Sequence, residues 1–326
     1  MTIRLQHPVG AAGSRISGLG HFRPDTVVTN DDLSQIMDTD DEWIRSRVGI
    51  AQRHFAGTDD TVVSMGARAS AKAIAEAGVA PTDIDTVIVA TCSQDSQVPH
   101  AATQIAGALG IHAPGSFDIN AACAGFCYGI AAADQAIRAG SSCTVLVVGS
   151  EKLTAWTNPT DRATAIIFAD GAGAAVVTKA DVPEIGPVVW GCDEKNIEAI
   201  RVVGRHGTFH QEGQTVFRWA TTVIGPVAIR AAEAAGVALA DIDVLATHQA
   251  NLRIIDAVAK KIIAAGARPD IKVARDIITS GNTSSASIPM ALDRMRDAGE
   301  ISSGQVVLAV AFGAGLTYAG QVFLCP

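Results

Sequence analysis

The sequence predicts an α/β protein built from two similar halves. Helical and strand patterns alternate along all 326 residues, one nine-residue pattern occurs twice, and aromatic residues make up only 5% of the chain. Alternating helices and strands are typical of mixed or parallel sheets that are covered by helices. Because Ala, Gly and Val dominate the composition, we expect the layers to pack closely.

The repeated pattern marks equivalent positions in the two halves. Residues 77–85 read AGVAPTDID and residues 235–243 read AGVALADID, with seven of nine positions identical. Each copy follows an Ala-rich helical stretch and leads into an apolar strand, Thr86–Thr91 in one half and Val244–Thr247 in the other. A chance match is the alternative, but a Gly-rich turn follows in both halves, as ADGAGAAVV and FGAGLTYAGQVF, which favours duplication.

The boundary between the halves is predicted near residue 183, inside the Pro-containing stretch 179–188. Residues 1–183 then form an N-terminal half and residues 184–326 a C-terminal half. A chain of 326 residues is long enough for two domains of ordinary size, and its hydrophobic share of 48% indicates a large core.

Charge and composition argue against several classes of protein. The net charge of −8 argues against a general nucleic-acid binder, and no run of 18 apolar residues predicts a membrane helix. No basic stretch leads into an apolar run at residues 1–10, so no secretory signal is expected. The scattered cysteines predict neither zinc nor disulfides, and hence a cytoplasmic location; they are Cys92, Cys123, Cys127, Cys143, Cys192 and Cys325.

Cys123 is the first candidate for chemistry. It follows a short predicted strand, Phe117–Ile119, and precedes a predicted helix, Ala124–Arg138. A thiol at such a turn lies near helix N–H donors and the positive end of the helix dipole, which predicts a lowered pKa and an oxyanion site. The alternative is a buried structural cysteine, which is our interpretation of Cys127 one turn later.

His248 and Asn282 are the other two candidates. His248 ends an apolar strand in THQANLRIID, where catalytic groups gather in α/β proteins, although a structural histidine is an equal alternative. Asn282 lies in SGNTSSASIP, a polar loop that precedes a helix. Its neutral amide can donate to a carbonyl without titrating and so stabilise an enolate; a turn or helix cap is the alternative.

The order Cys, His, Asn belongs to a longer series of motifs, which resembles β-ketoacyl-acyl carrier protein synthase III over essentially the whole chain. The matching stretches are DEWIRSRVGI (41–50), DINAACAGF (118–126), NPTDRATAIIFADGAGAAVV (158–177), HQANLRII (248–255), GNTSSAS (281–287) and AFGAGLTYAG (311–320). The resemblance implies the thiolase fold, with duplicated α/β halves in a five-layer αβαβα sandwich. It also implies a homodimer.

The resemblance further implies a two-step acyltransferase reaction. The Cys123 thiolate takes an acyl group from acyl-CoA, and malonyl-acyl carrier protein binds next. His248 and Asn282 then hydrogen-bond the malonyl thioester carbonyl while carbon dioxide leaves, and the carbanion attacks the acyl-cysteine to begin fatty acid or polyketide synthesis. Backbone N–H groups of Cys123 and Ala314 form the implied oxyanion hole. Acyl-CoA is a substrate, and neither a cofactor nor a metal is implied.

Two binding surfaces follow from the same resemblance. The nucleotide end of CoA is assigned to Trp43, Arg47, Arg162 and Asn251; an indole and a guanidinium suit stacking on adenine, and arginine suits pairing with phosphate. Docking of the acidic carrier protein is assigned to basic positions, namely Arg218, Arg253, Lys260 and Lys261. For the CoA residues, the alternative is that Trp43 is part of the core and the arginines are solvated surface residues. For the docking residues, the alternative is that the lysines only interact favourably with the dipole of their helix.

Val98 matches a position that closes the acyl pocket across the dimer interface, where relatives often carry a bulky aromatic side chain. Because valine is smaller, a longer or branched primer is expected; the alternative is that neighbouring side chains fill the space. Segment 191–216 departs from the family pattern, since QEGQTVF stands where the family usually carries Met before Gly. Contacts of this segment with pantetheine therefore stay open.

Three other functions are alternatives to this interpretation. An acyltransferase or specialised-metabolism synthase on the same scaffold is the nearest, and loss of carbon dioxide from malonyl would separate it. A nucleotide-binding protein is disfavoured because the GAG turns lack the full G-x-G-x-x-G fingerprint and its acidic partner. A silent dimer partner is disfavoured because Cys123, His248 and Asn282 are all retained.

Overall fold

The described part of the chain in this computed structural model, residues 5, 8–202, 204 and 207–326, forms fourteen strands and nine α-helices. The strands are β1 (Gly13–Phe22), β2 (Thr26–Thr29), β3 (Gln52–Phe55), β4 (Thr86–Ala90), β5 (Gly115–Ile119), β6 (Thr144–Lys152), β7 (Asp170–Ala180), β8 (Val189–Cys192), β9 (Ile200–Val202), β10 (Phe209–Gln211), β11 (Val244–Thr247), β12 (Lys272–Val273), β13 (Val306–Gly313) and β14 (Thr317–Leu324). The α-helices are α1 (Asn30–Ser34), α2 (Asp41–Val48), α3 (Val62–Ala77), α4 (Ala101–Leu109), α5 (Gly125–Ala139), α6 (Gly213–Ala234), α7 (Leu252–Ala264), α8 (Ile277–Ser280) and α9 (Ser287–Asp297).

Two five-stranded mixed sheets with the same topology organise these elements. The first has the order β1-β7-β6-β4-β5 and the second the order β8-β14-β13-β11-β12. In each sheet the fourth strand runs parallel to both neighbours, and the first three strands alternate in direction. The predicted duplication and the predicted mixed sheets are therefore confirmed.

The repeated nine-residue pattern builds the same unit twice. In each half the helix α3 or α6 ends, one 3₁₀ turn follows, and the chain enters β4 or β11. The last aspartate of each copy then binds the start of the neighbouring strand: Asp85 accepts from the N–H of Cys143 (2.6 Å) and Asp243 from the N–H of Val306 (2.8 Å). Each aspartate thus ties two adjacent strands together at their amino ends.

Helices and sheets stack in five layers, as the resemblance implied. Helices α3 and α4 cover the outer face of the first sheet, and α6 and α7 cover that of the second. Helices α5 and α9 lie between the sheets, where Ile130 and Leu292 pack with Val147 and Val307 in one buried cluster. Full burial of one such side chain stabilises the fold by about 1.5–3 kcal/mol.

The junction of the halves lies between β7 and β8. Strands of the first sheet fall within residues 13–180 and strands of the second within 189–324. Because α5 packs against both sheets, the division at residue 183 stays a prediction. Among the described helices, none is both long enough and apolar enough to span a bilayer.

Candidate active site

A cavity of about 1880 Å³ lies where elements of both halves meet. Its walls include Cys123 just after β5, His248 just after β11, and Asn282 between α8 and α9. Ala314, which follows β13, lines the same cavity. The structure therefore brings together four residues that the sequence assigned to one reaction.

Cys123 lies in a single 3₁₀ turn, Ala122–Ala124, and α5 begins only at Gly125. Its surface is partly accessible from the cavity, yet protein surrounds it on the other sides. This burial raises the pKa of the Cys123 thiol to about 12, and the nearby Glu151 carboxylate acts in the same direction. The predicted lowering of the pKa is therefore wrong, because the cost of burying the thiolate outweighs the hydrogen bonds that act to lower the pKa.

His248 is held as a neutral donor. Burial lowers its pKa to about 3, so the imidazole is neutral at every pH near neutrality. Nδ1 lies 2.8 Å from the hydroxyl of Ser287, which itself accepts from the N–H of Gln249 at 3.3 Å. Ser287 can donate its proton to Nδ1, and in that arrangement the imidazole proton lies on Nε2. The edge of the ring packs against Phe312.

Asn282 is fixed by its backbone and by one side-chain contact. Its N–H donates to Ile167, and its carbonyl accepts from Ala169, each at 2.9 Å. The N–H of Ser284 donates to its Oδ1 (2.9 Å), which leaves the Nδ2 donors for a ligand. The preceding Gly281 has φ 72°, a left-handed conformation that favours glycine and turns the chain into this position.

Close backbone contact joins Cys123 to the Gly-rich turn after β13. A Cβ atom on Gly313 would lie 2.6 Å from the backbone nitrogen of Cys123, so only glycine allows this approach. The next residue is Ala314, whose N–H was assigned to the oxyanion hole together with that of Cys123. The two segments are adjacent as that assignment requires, and the role of each N–H stays a prediction.

At another part of the wall, aromatic and cationic groups meet. The guanidinium of Arg162 lies 4.5 Å from the ring centre of Trp43, and that of Arg47 lies 5.5 Å from it. Asn251 lines the cavity as well, but its Oδ1 caps α7 and its Nδ2 donates to the carbonyl of Arg47 at 3.1 Å. Asn251 therefore joins α2 to α7, and its predicted contact with CoA stays a prediction.

The predicted docking residues lie on α6 and α7. Arg218, Arg253 and Lys260 are exposed, and the Arg253 guanidinium lies 4.8 Å from the ring centre of Phe217. Lys261 differs, because its ammonium donates to two backbone carbonyls of α6 at 3.2 and 3.3 Å. Lys261 thus takes part in packing α7 on α6, and docking by all four residues stays a prediction.

Val98 lines the cavity and is 85% exposed in the single chain. It therefore closes no pocket within its own subunit. Next to it, β5 forms the edge of the first sheet, and Phe117 on that strand is 43% exposed. Closure of a partner's acyl pocket by Val98 stays a prediction.

The atypical segment 191–216 forms a short wall of the cavity. Strands β9 and β10 pair as a hairpin, and Phe209 packs against Phe168 (4.7 Å between ring centres) and Trp156 (6.0 Å). Residues 203, 205 and 206 lie outside the described residues. The expected position beside the substrate tunnel agrees with this wall, whereas the aromatic cluster was not predicted.

Sequence reasoning also missed three buried polar residues, Glu151, Ser284 and Ser287. Glu151 ends the apolar strand β6, and a lone carboxylate at the end of a buried strand is the signal that points to it. The two serines belong to the polar loop around Asn282, where sequence alone does not distinguish one hydroxyl from another.

The duplicated five-layer sandwich and the joint placement of a thiol, an imidazole and an amide define a thiolase-fold condensing enzyme, an enzyme that transfers acyl groups. The family model for 3-oxoacyl-[acyl-carrier-protein (ACP)] synthase III matches residues 117–194, and the model of its C-terminal part matches residues 232–325. The chain belongs to the 3-oxoacyl-[acyl-carrier-protein] synthase III family.

Similar proteins agree with this assignment over nearly the whole chain. A beta-ketoacyl-[acyl-carrier-protein] synthase III of Streptomyces avermitilis is 50% identical, covering 96% of this chain and 99% of the relative. The priming beta-ketosynthase from the R1128 polyketide biosynthetic pathway superposes with a TM-score of 0.95 at 40% identity, covering 99% and 98% of the two chains. The 3-oxoacyl-[acyl-carrier-protein] synthase III of Aquifex aeolicus gives 0.90 at 36% identity, covering 96% and 100%.

Proposed function

We propose that this chain condenses an acyl-CoA primer with malonyl-acyl carrier protein and so starts fatty acid or polyketide synthesis, as a 3-oxoacyl-[acyl-carrier-protein] synthase III. The observation that carries the proposal is that Cys123, His248 and Asn282 all line one cavity, together with Trp43 and Arg162. CoA is a substrate in this proposal, and no further cofactor takes part.

Each group has a role that suits its surroundings. Cys123 attacks the primer thioester and holds the acyl group, which divides the reaction into two steps. Neutral His248 and the Nδ2 of Asn282 donate to the malonyl thioester carbonyl, whose oxygen becomes negative as carbon dioxide leaves. The pair needs no proton transfer, because both groups are neutral donors throughout.

The proposal includes a homodimer and a cytoplasmic location. The exposed edge of β5, with Phe117 and Val98 nearby, offers unpaired backbone groups and apolar surface to a second copy of the chain. All six cysteines are free, which is typical of proteins kept in a reducing compartment.

A priming synthase for specialised metabolism on the same scaffold is the second candidate. It is favoured by the TM-score of 0.95 with the priming beta-ketosynthase of a polyketide pathway. Loss of carbon dioxide from malonyl-acyl carrier protein separates an acyltransferase from either synthase, and the acyl-CoA that primes fastest separates the two synthases from each other. A simple acyltransferase would release no carbon dioxide.

Acylation is expected at Cys123 and at none of the other five cysteines. Cys123 and Cys92 both line the cavity, but the Cys92 sulfur contacts the Glu151 carboxylate at 3.6 Å, and burial raises the pKa of its thiol well above the usual value. Cys127 is buried inside α5 and does not line the cavity. Intact mass after exposure to a panel of acyl-CoAs, followed by peptide mapping, checks this expectation. An adduct on Cys127, or no adduct with any acyl-CoA, would contradict the proposed function.

Val98→Phe is expected to shift preference towards acetyl-CoA at the expense of longer or branched primers. Phenylalanine adds volume at the end of the pocket that Val98 is proposed to close in the partner, and overpacking costs about 1–3 kcal/mol, or roughly ten- to a hundredfold in selectivity. The measurement is the ratio of specificity constants for acetyl-CoA and an acyl-CoA of about six to eight carbons. An unchanged ratio in a folded dimer would place Val98 away from the primer.

A further inference from the structure

A buried carboxylate lies beside the nucleophile and has no role in the reaction as described so far. Glu151 ends β6, and none of its surface is exposed. It lies close enough to Cys123 to raise the pKa of that thiol. Carboxylates are almost never fully buried unless they are paired or hydrogen-bonded, so its partners decide what it can do.

One oxygen of Glu151 is fully engaged by donors. Oε2 accepts from the hydroxyl of Ser93 (2.5 Å), the N–H of Cys92 (3.1 Å) and the hydroxyl of Thr91 (3.2 Å). The Ser93 hydroxyl donates here because an ionised carboxylate can only accept, and the same hydroxyl accepts from the N–H of Lys152 at 2.8 Å. These donors stabilise negative charge on the carboxylate despite its burial.

The other oxygen of Glu151 can hold a proton. Oε1 lies 2.8 Å from the hydroxyl of Ser285, and that hydroxyl also lies 2.8 Å from the carbonyl oxygen of Ala90. Ser285 has one proton, and a carbonyl only accepts. When Ser285 donates to Ala90, a proton on Oε1 can donate to Ser285; when Glu151 is ionised, Ser285 can donate to Oε1. Both protonation states are therefore satisfied by the same atoms.

Ser284 provides the connection to the thiol. Its side chain lines the cavity, is 1% exposed, and has a buried hydroxyl with no hydrogen bond of ordinary length and angle. The turn that carries it, Ser284–Ala286, packs against the turn of Cys123, Ala122–Ala124, and against β6, which ends near Glu151. In addition, Ser284 acts to lower the pKa of both Cys123 and Glu151. Its φ of 51° is a strained, left-handed conformation for a residue with a side chain, and such strain is common at functional sites.

Other titratable groups near the thiol suit the task less well. His248, with a pKa of about 3, is a weak base. Cys92 contacts Glu151 through its sulfur at 3.6 Å, and burial raises the pKa of its thiol well above the usual value. The ammonium of Lys152 donates to the carbonyls of Gly57 and Asp60, away from this cluster.

We propose that Glu151 receives the proton of Cys123 through the hydroxyl of Ser284 during acylation and returns it to the departing CoA. This inference rests on the proposed function. As the sulfur of Cys123 bonds to the acyl carbon, its proton moves to Ser284, and the proton of Ser284 moves to Oε1 of Glu151. When the bond between the acyl carbon and the CoA sulfur breaks, the electron pair stays on that sulfur. Oε1 of Glu151 then returns a proton to Ser284, and Ser284 gives its own proton to the CoA sulfur, so the products are acyl-cysteine and CoA thiol.

The proposal fixes the direction of a pH effect. Glu151 must be ionised to accept a proton, and burial raises its pKa above the usual carboxyl value. Acylation should therefore slow as the pH falls through this raised pKa, giving an acidic limb above the ordinary carboxyl range. Decarboxylation of malonyl by neutral His248 and Asn282 should lack this limb.

Glu151→Gln and Ser284→Ala test the relay, each measured as single-turnover acylation of Cys123 against pH. Glu151→Gln should lower the rate about a hundredfold and remove the acidic limb, since general base catalysis contributes about 10²–10⁴-fold. Ser284→Ala should lower the rate at least about tenfold. Both variants should still decarboxylate malonyl-acyl carrier protein. The matched control is Asp170→Asn, because Asp170 is also fully buried and accepts from the N–H groups of Ala56 and Thr154, with no contact to Cys123.

The results of these measurements distinguish failure of the proton relay from failure of the proposed function. Parental acylation with an unchanged acidic limb in either folded variant overturns the relay and leaves the proposed function intact. An equal loss in Asp170→Asn overturns it as well, because burial of any carboxylate would then explain the effect. A parent enzyme that neither acylates Cys123 nor decarboxylates malonyl overturns the proposed function itself.

Discussion

His248→Ala is expected to lower decarboxylation of malonyl-acyl carrier protein by at least about a hundredfold while Cys123 is still acylated. The imidazole is neutral because burial lowers its pKa to about 3, and when Ser287 donates to Nδ1 the imidazole proton lies on Nε2. It therefore serves as a donor to the developing enolate, and alanine removes that donor outright. Release of carbon dioxide and the mass of the acyl-enzyme are the two measurements.

Asn282→Ala should give the same division between the two half-reactions, because its Nδ2 is the second donor. A matched control is His100→Ala, which removes another cavity-lining imidazole that contacts the hydroxyl of Thr103 (2.8 Å) and lies outside the proposed donor pair. That variant should decarboxylate at the parental rate. Parental decarboxylation in His248→Ala or Asn282→Ala would instead contradict the assignment of both side chains to the enolate.

The joint position of Cys123, His248 and Asn282 was predictable because each residue follows a recognisable element. Two of them come directly after the strands β5 and β11, and the duplication places these strands at different positions of equivalent sheets. The spacing of residues along the sequence does not show that Cys123 from one half meets His248 and Asn282 from the other half. The family motifs gave that information. The layered fold followed from alternating patterns and small residues, which depend only on local sequence and composition.

The electrostatics of the site were not predictable in the same way. The helix start beside Cys123 was visible in the sequence, but the degree of burial that raises its pKa to about 12 depends on packing from both halves. The proposed role of Glu151 likewise depends on its hydrogen bonds with Cys92, Ser93 and Ser285, which lie in distant segments of the sequence. Such clusters arise only from tertiary contacts, so a sequence pattern shows the charged residue without its partners.

Gly313→Ala is expected to lower acylation of Cys123 by about 10²–10³-fold, the usual effect of losing one oxyanion donor. The added methyl carbon would lie 2.6 Å from the backbone nitrogen of Cys123 and 3.0 Å from Cβ of Ala122. One segment must move, and either movement separates the N–H of Cys123 from the turn that carries Ala314. Because Gly313 has no left-handed φ, the effect is steric and does not come from backbone strain.

The measurement for Gly313→Ala is the single-turnover rate of acyl adduct formation, with thermal unfolding recorded in parallel. Overpacking should cost about 1–3 kcal/mol of stability, so the variant must be compared below its own unfolding transition. Gly107→Ala is the matched control, since Gly107 is an exposed residue of α4 with nothing within 4 Å of an added Cβ. It should acylate normally and gain about 0.4–1 kcal/mol. If folded Gly313→Ala acylated Cys123 at the parental rate, the acyl oxygen would have to bind away from these two backbone donors.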